Sequence, residues 1–438
     1  MEQARIPTVT IATDQFLALV TGTQKGQGLT DMCYVVVPHP VGMIPHEEVK
    51  AKMDKAFDGI VNASIAWKAT KNSDVAEVKP YPARRMKFKG DYAALNELFR
   101  THKWSLGLPI IPPTPEKVAE MLKGTKRSPA EVVWIVPPRQ GILTVEMVAV
   151  YGVMAGAKPE HMPLLLATIE AFKHPDVSWR GTTTTTAPTV PIVIISGPII
   201  EKFGLNPSTG TAGPMNPVTN ALGYFINLVG HVIGGSVPPD LDKSTHGTSG
   251  DFVAMVFTEN EKENPWKETY AVEQGFKPAD SVVTVYGAYL GGCNVDHDSL
   301  TGQGLMNTLG MTIMGNAGGV YSCLADYDKP LSKHNTSPYV FLFLCPEHAA
   351  QIQRDFPTKD AAREYLLKNT GTLFKNYAPS RCVPPKEFGP VSDDTFVPRF
   401  ASIKSFKFVV TGGPGKQSQS WIPFPQVVKP VSVKIDIS

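Results

Sequence analysis

The chain has 438 residues, enough for two domains that each bury a core of their own. Its 42 Lys and Arg against 40 Asp and Glu leave a net charge of +2, which argues against nucleic acid as a partner and favours small molecules or proteins. No apolar run approaches the roughly 20 residues needed to cross a bilayer, and residues 1–25 lack the basic-then-apolar plan of a signal peptide, so no membrane contact and a cytoplasmic location are expected.

Residues 6–12 read as a β-strand ending at Thr13-Asp14, and residues 33–37 as a second that stops at Pro38-His39-Pro40. Between them residues 14–28 suit a short helix. A longer one opens at Pro45-His-Glu-Glu-Val49, with Val49, Met53, Ala56, Phe57, Ile60 and Val61 at helical spacing. A parallel sheet needs cover on both faces, so this βαβα fragment is too small to stand alone and expects strands from elsewhere. The fold class expected is therefore α/β: a partial parallel-sheet domain over residues 1–67 that a partner completes, a linker over 68–90 carrying Pro80, Pro82 and Arg84-Arg85, and a larger α/β domain over 91–438.

In that larger part, residues 91–101 are expected to be helical, and Thr114-Pro115-Glu116 caps a helix running to residue 122. Residues 132–136 read as a strand buried on both sides, followed by a helix over 144–156 and another from His161-Met-Pro163 through Phe172. The five threonines within residues 182–186 suit either a strand or solvated loop, or an array of ligand-facing hydroxyls that includes Thr183 and Thr184. Residues 190–195 are a buried-strand candidate. After it, residues 204–217 form a loop rich in Gly, Pro and Asn, in which Asn216 is expected to accept from first-turn amides as N-cap with Pro217 at the first helical position. Such a junction, with Gly213 and Asn216 in it, offers amides and a positive dipole end to a carboxylate or phosphate, although it is neither a P-loop nor a dinucleotide fingerprint.

Residues 240–250 are polar and punctuated by glycine, and similar mixtures recur at 258–266 and 291–299. They place His246, Glu259, Asn260, Glu261, Asp296, His297 and Asp298 in loops beside expected strands, where α/β proteins assemble sites. Histidine and carboxylate suit general acid and base work or a divalent metal; without HExxH or a similar local signature, acid/base or substrate binding is preferred and no metal or cofactor is assigned. His231, near the end of an apolar helix, reads as structural. Strands are expected over 252–257 and 405–411, and no internal repeat is visible. The five cysteines are an odd number, widely spaced and without a Cys-x-x-Cys pair, so no disulfide framework or zinc ribbon is expected, and Cys345 within an apolar run reads as a buried inert thiol.

Several stretches together resemble the UGSC-motif (seleno)protein family over about residues 104–350. They are Gly107-Leu-Pro-Ile-Ile-Pro-Pro-Thr114, Thr144-Val-Glu146 through Met154-Ala-Gly156 to Pro159-Glu160, Gly197-Pro198 with Gly213-Pro214, Glu259-Asn-Glu261 with Pro265-Trp266, and Pro346-Glu-His348. The family carries before this region an α/β domain with a Sec/Cys-Gly-Ser-Cys motif, followed by a strand like residues 6–12 and a stretch like Val35-Val-Val-Pro-His-Pro40. This sequence lacks the motif, and none of its cysteines stands in that place. More distantly the arrangement is similar to the selenoprotein B component of glycine, sarcosine and betaine reductases. The resemblance implies a hetero-oligomeric reductase- or lyase-type enzyme in which a partner subunit supplies the nucleophilic Cys or Sec. This chain would bind the small-molecule substrate and move protons through His39, His246, His297, Glu259 and Glu261. A non-catalytic scaffold subunit and a self-contained metal-dependent lyase or hydrolase are the alternatives.

Overall fold

The computed structural model describes residues 8–26, 32–42, 44–66, 80–316, 323–325, 338–377 and 382–437. At the N-terminus β1 (Thr10–Thr13) and β2 (Tyr34–Val37) pair in parallel in the register Thr10↔Tyr34 to Thr13↔Val37, joined through α1 (Leu17–Gly26) and followed by α2 (His46–Ala66). The expected βαβα order is present, with the first strand beginning at Thr10; Ile6 and Pro7 lie outside the described residues. The unit is under-covered: Ile11 and Val36 are 46% and 43% exposed on the sheet, and Phe57 and Ile65 are 61% and 78% exposed on α2. Parallel sheets are ordinarily covered on both faces, so this much exposed apolar surface is unusual.

Residues 80–88 form no helix or strand, yet they lie against a later helix, Val145–Ala155, because Ala83 N donates to Glu146 Oε2 at 2.7 Å and Arg85 reaches Glu146 at 3.8 Å. The rest of the expected linker lies largely outside the described residues. Helices α3 (Tyr92–Thr101) and α4 (Pro115–Leu122) follow, capped by Asp91 and Thr114. β3 (Val132–Val136) and β4 (Gly141–Thr144) make an antiparallel hairpin. This corrects the doubly buried reading of residues 132–136: Val132 and Ile135 are exposed, because the ribbon has only two strands and one face outward. Then come α5 (Val145–Ala155), α6 (Met162–Phe172), α7 (Trp179–Thr183), β5 (Val190–Ser196), α8 (Ile199–Lys202), α9 (Pro217–Leu228), β6 (Met255–Thr258), α10 (Tyr270–Glu273), β7 (Val282–Val295) and α11 (Gly302–Asn316). The chain closes with β8 (Val340–Leu344), α12 (Pro346–Asp355), α13 (Lys359–Asn369), the small antiparallel pair β9 (Gly371–Leu373) and β10 (Phe396–Pro398), β11 (Phe406–Val410), β12 (Gln417–Pro423) and β13 (Val431–Lys434).

The fold is α/β, built on one mixed sheet in the order β11-β8-β12-β7-β5-β6, with β13 beside the first half of β7. β5 runs parallel to β6 and β8 parallel to β11, while β7 and β12 are antiparallel to their neighbours. The two ends of this order meet. An antiparallel bridge joins Glu259 to Thr411, Asn260 N donates to Val410 O at 2.8 Å, and Thr411 Oγ1 donates to Thr258 O at 2.6 Å. The sheet thereby curls around an aromatic interior in which Phe257 stacks on Phe343 at 4.1 Å and Tyr286 on Phe341 at 4.3 Å, with Ile192, Ile194 and Val409 between them. Alternate residues face outwards: Val193, Ile195 and Val256 pack with α5, α6 and α9, and Leu342, Leu344 and Phe408 pack with α11, α12 and α13. With both faces buried, β5 and β8 carry continuous apolar runs.

The two halves share a connection that the sequence does not display. Each has a strand, a helical crossover to a parallel neighbour and an antiparallel strand: β5, β6 and β7 in one, β8, β11 and β12 in the other. Cys323 and Cys382 form a disulfide, a single crosslink that the sequence reading, which expects no disulfide framework, does not anticipate; a separation of 59 residues gives no local signal. Among the described residues no helix is long and apolar enough to cross a membrane.

Candidate functional site

A pocket of about 690 Å³ opens between the end of α3, the segment after α9 and the polar loop over residues 240–252. Arg100 and Lys103 come from the end of α3, while Leu106, Val232, Val237 and Phe252 supply apolar wall. The segment after α9 is a π turn, Val229–Ile233, and this wider turn carries His231 to the pocket lining. Such turns recur at functional sites. His231 Nδ1 bonds the Ser236 carbonyl, so that nitrogen carries the proton and Nε2 is left as the basic one. His246, Asp242 and Asp251 complete the polar lining.

The loop is held firmly from within. Ser244 N donates to Asp242 Oδ1 at 2.8 Å, Thr248 N to Asp251 Oδ2 at 2.7 Å, Gly247 N to Ser244 Oγ at 3.1 Å, and Thr245 N to Thr186 O at 2.9 Å. Gly247 has φ +68°, a left-handed conformation that glycine adopts at little cost. Burial raises both carboxyls above the usual range, only partly opposed by these amide bonds and by the nearby His231, and for Asp251 the Asp242 charge adds to the rise. Two carboxyls pushed upwards near a histidine with one defined basic nitrogen are an arrangement chemically able to exchange protons. His246 is exposed and makes no hydrogen bond through its ring among the described residues.

The sequence-selected residues divide among five places. His246 lies in the pocket. Glu259, Asn260 and Glu261 lie at the seam of the curled sheet: Glu259 is 2% exposed and takes bonds from Ser196 Oγ at 2.5 Å and Tyr270 N at 2.8 Å, Glu261 accepts from Gly197 N at 2.6 Å, and Asn260 donates to Gly412 O at 3.1 Å. Burial pushes the Glu259 carboxyl up to about 7. The loop carrying Gly213 and Asn216 packs on the same seam, through Thr211 Oγ1 and Thr258 Oγ1 at 2.9 Å. Asn216 does not cap α9 with its side chain, as was expected; its Nδ2 donates to Gly210 O at 2.8 Å and Gly213 O at 3.2 Å, so it ties the loop to itself. Thr183 and Thr184 also correct an expectation: they belong to the end of a short helix, where their hydroxyls bond back to Trp179 O at 3.0 Å and Arg180 O at 2.8 Å.

His297 is exposed just after β7, beside a second polar cluster. There Cys345 caps α12 and is buried as expected, yet not isolated: its N donates to Ser418 Oγ at 3.1 Å, and the same hydroxyl meets His348 Nδ1 at 2.8 Å. His348 Nε2 meets Asp296 O at 3.1 Å. Burial would raise the Cys345 thiol, but the His348 ring outweighs it and the net displacement is downwards. Burial also works against the Asp296 carboxylate, while bonds from Thr308 and Ser299 hold it down to about 2. The Cys-x-x-His spacing at 345–348 is present in the sequence and is the signal that would have found this pair. His231, Asp242 and Asp251 carry no such signal, since only the fold brings them together.

His39, the remaining sequence-selected residue, lies in the N-terminal unit, where Nδ1 meets Thr13 Oγ1 at 3.1 Å, N donates to Asp14 Oδ1 at 3.2 Å, and the ring lies 5.7 Å from that of Phe16. Phe16 in turn is 5.9 Å from Lys243 Nζ, next to the pocket residue Asp242. Arg180 Nη2 donates to Thr23 Oγ1 at 3.2 Å, and Gly22 packs so closely on Leu241 that a Cβ would lie 2.6 Å from its side chain. The N-terminal unit is therefore docked on the loop that lines the pocket. No curated protein and no solved structure matches the chain, so the more distant likeness to selenoprotein B components gains no support from them. Residues 1–66, which include the N-terminal unit beside the pocket, match the model of the UGSC family.

Proposed function

We propose that this chain is the substrate-binding and proton-transferring subunit of a thiol- or selenol-dependent enzyme that acts on a small molecule in the pocket lined by His231, Asp242, His246 and Asp251. The observation that carries the reading is the docking of the UGSC-family unit on the loop over residues 240–250, which brings the strand ends at Thr13 and His39 close to that pocket. The uncovered apolar surface of the same unit, Ile11 and Val36 on the sheet with Phe57 and Ile65 on α2, supports a partner that extends and covers it. That partner is a UGSC-type subunit bearing the reactive Cys or Sec.

In this reading the partner's thiolate or selenolate attacks an electrophilic carbon of the substrate. A bond from sulfur or selenium to carbon forms, the bond to the leaving group breaks with its electron pair, and the leaving group takes a proton from the pocket. Asp242 or Asp251, held protonated more readily than an exposed carboxyl, suits the donor, and His231 through Nε2 suits the base that deprotonates the incoming thiol. Arg100 and Lys103 suit a negatively charged end of the substrate. Turnover by the reconstituted complex tests this: His231→Gln and His246→Gln should each lower it by roughly 10²–10⁴-fold if the ring moves a proton. Near wild-type turnover in both variants would remove the pocket from the chemistry.

A further inference from the structure

Beyond β10 the ladder with β9 continues by one pair. The register Phe396↔Leu373, Val397↔Thr372, Pro398↔Gly371 brings Arg399 opposite Thr370, and Arg399 N donates to Thr370 O at 2.8 Å. Residues directly opposite each other in an antiparallel pair present their side chains to the same face, with Cβ atoms about 4.5–5.5 Å apart. Both side chains are sealed from water: Arg399 is 1% exposed and Thr370 is 0% exposed. Yet among the described residues Arg399 Nε and Nη1 and Thr370 Oγ1 have no hydrogen-bond partner, and Arg399 makes no ion pair. Its surroundings are aromatic: the guanidinium lies 4.8 Å from the centre of the Phe400 ring, and Tyr289 and Tyr377 act on its charge.

Burial draws the guanidinium down to about 10, which leaves it a cation at neutral pH. A buried cation without a counter-charge costs more than stacking on one ring returns, and buried polar groups are otherwise almost always satisfied. Two guanidinium donors and one hydroxyl on a single face are the donor set that a small oxyanion requires. We propose that Arg399 and Thr370 bind an oxyanion, the carboxylate or phosphate group of a ligand, in the interior beside β9 and β10. This site shares no residue with the pocket over residues 100–252 and does not depend on the function proposed for it.

The test is calorimetric titration of the full chain with inorganic phosphate, with acetate and with sodium chloride at constant ionic strength. The wild type is expected to bind phosphate or acetate saturably and chloride not at all, and the anion that binds identifies the ligand group. Arg399→Met should weaken that binding by about tenfold or more, and Thr370→Val, which keeps the shape and removes the donor, by about three- to tenfold. Should Arg399→Met fail to fold, Arg399→Lys takes its place, with weaker binding again expected because the ammonium lacks the fork. No saturable binding of either anion by the wild type, or equal binding by the wild type and the substituted chains, would overturn the proposal.

Discussion

Glu259→Gln isolates the largest single carboxyl displacement that the fold creates near the seam of the curled sheet. The carboxyl moves from an ordinary 4.5 to about 7, mainly through burial, and only in part is this opposed by Ser196 Oγ and Tyr270 N. At 1.36 kcal/mol per pH unit, that displacement corresponds to about 3 kcal/mol of stability that depends on pH. The folded carboxyl holds its proton more tightly than the unfolded one, so the contribution is fully present below about pH 4.5, declines as pH rises, and is lost above about pH 7. Glutamine stays neutral throughout and keeps an acceptor for Tyr270 N and a donor for Ser196 Oγ. Urea unfolding of both chains, at matched ionic strength from pH 4.5 to pH 8, should show the variant gaining about 3 kcal/mol on the wild type across that range. Contributions from other groups cancel in the difference. A difference that stays flat with pH would mean that Glu259 is ionised in the fold without penalty, and the sealed seam described here would be wrong.

The loop over residues 204–216 should answer to Asn216 in stability alone: Asn216→Ala removes donors to Gly210 and Gly213 and should cost about 1–3 kcal/mol, read by unfolding, with substrate affinity unchanged. A loss of affinity larger than the loss of stability would restore the anion-binding role read from the sequence. Cys382→Ser opens a crosslink spanning 59 residues and should lower stability by about 4 kcal/mol in non-reducing buffer, with no effect once reductant is present. His231→Gln and His246→Gln should reduce turnover of the reconstituted enzyme by roughly 10²–10⁴-fold while their unfolding midpoints stay near the wild type.

What the sequence shows well is whatever is decided by burial on two faces. β5 and β8 are visible as unbroken apolar runs because Val190, Ile192 and Ile194 line the interior while Val193 and Ile195 meet the helices. β12 is not visible, because the residues it turns towards the covering helices include Ser418 and Ser420, which are satisfied by His348 and Asn294 and so need no apolar side chain. The same mixture hid the last part of β7, whose residues 291–295 read as a polar loop but continue the strand against β12. Of the threonine run, residues 184–186 lie in a turn, as the loop reading expects, while the Thr183 and Thr184 hydroxyls bond to carbonyls four residues back at the end of a short helix that β propensity argues against. Of the candidate site, His246 was legible from its glycine-punctuated loop. His231 was not, since a π turn rather than a sequence pattern carries it to the pocket, and Asp242 and Asp251 gain meaning only through mutual proximity and burial.

The proposed function requires a Cys/Sec-bearing UGSC-type subunit to complete this chain at its N-terminal unit. Native mass spectrometry of the chain co-expressed with a UGSC-type polypeptide carrying the Cys/Sec-Gly-Ser-Cys motif measures it directly. The expected result is a stable complex that Phe57→Glu together with Ile65→Glu dissolves, since charge on that exposed apolar face opposes its burial. Absence of a complex, or a complex that the two glutamates leave intact, would contradict the account.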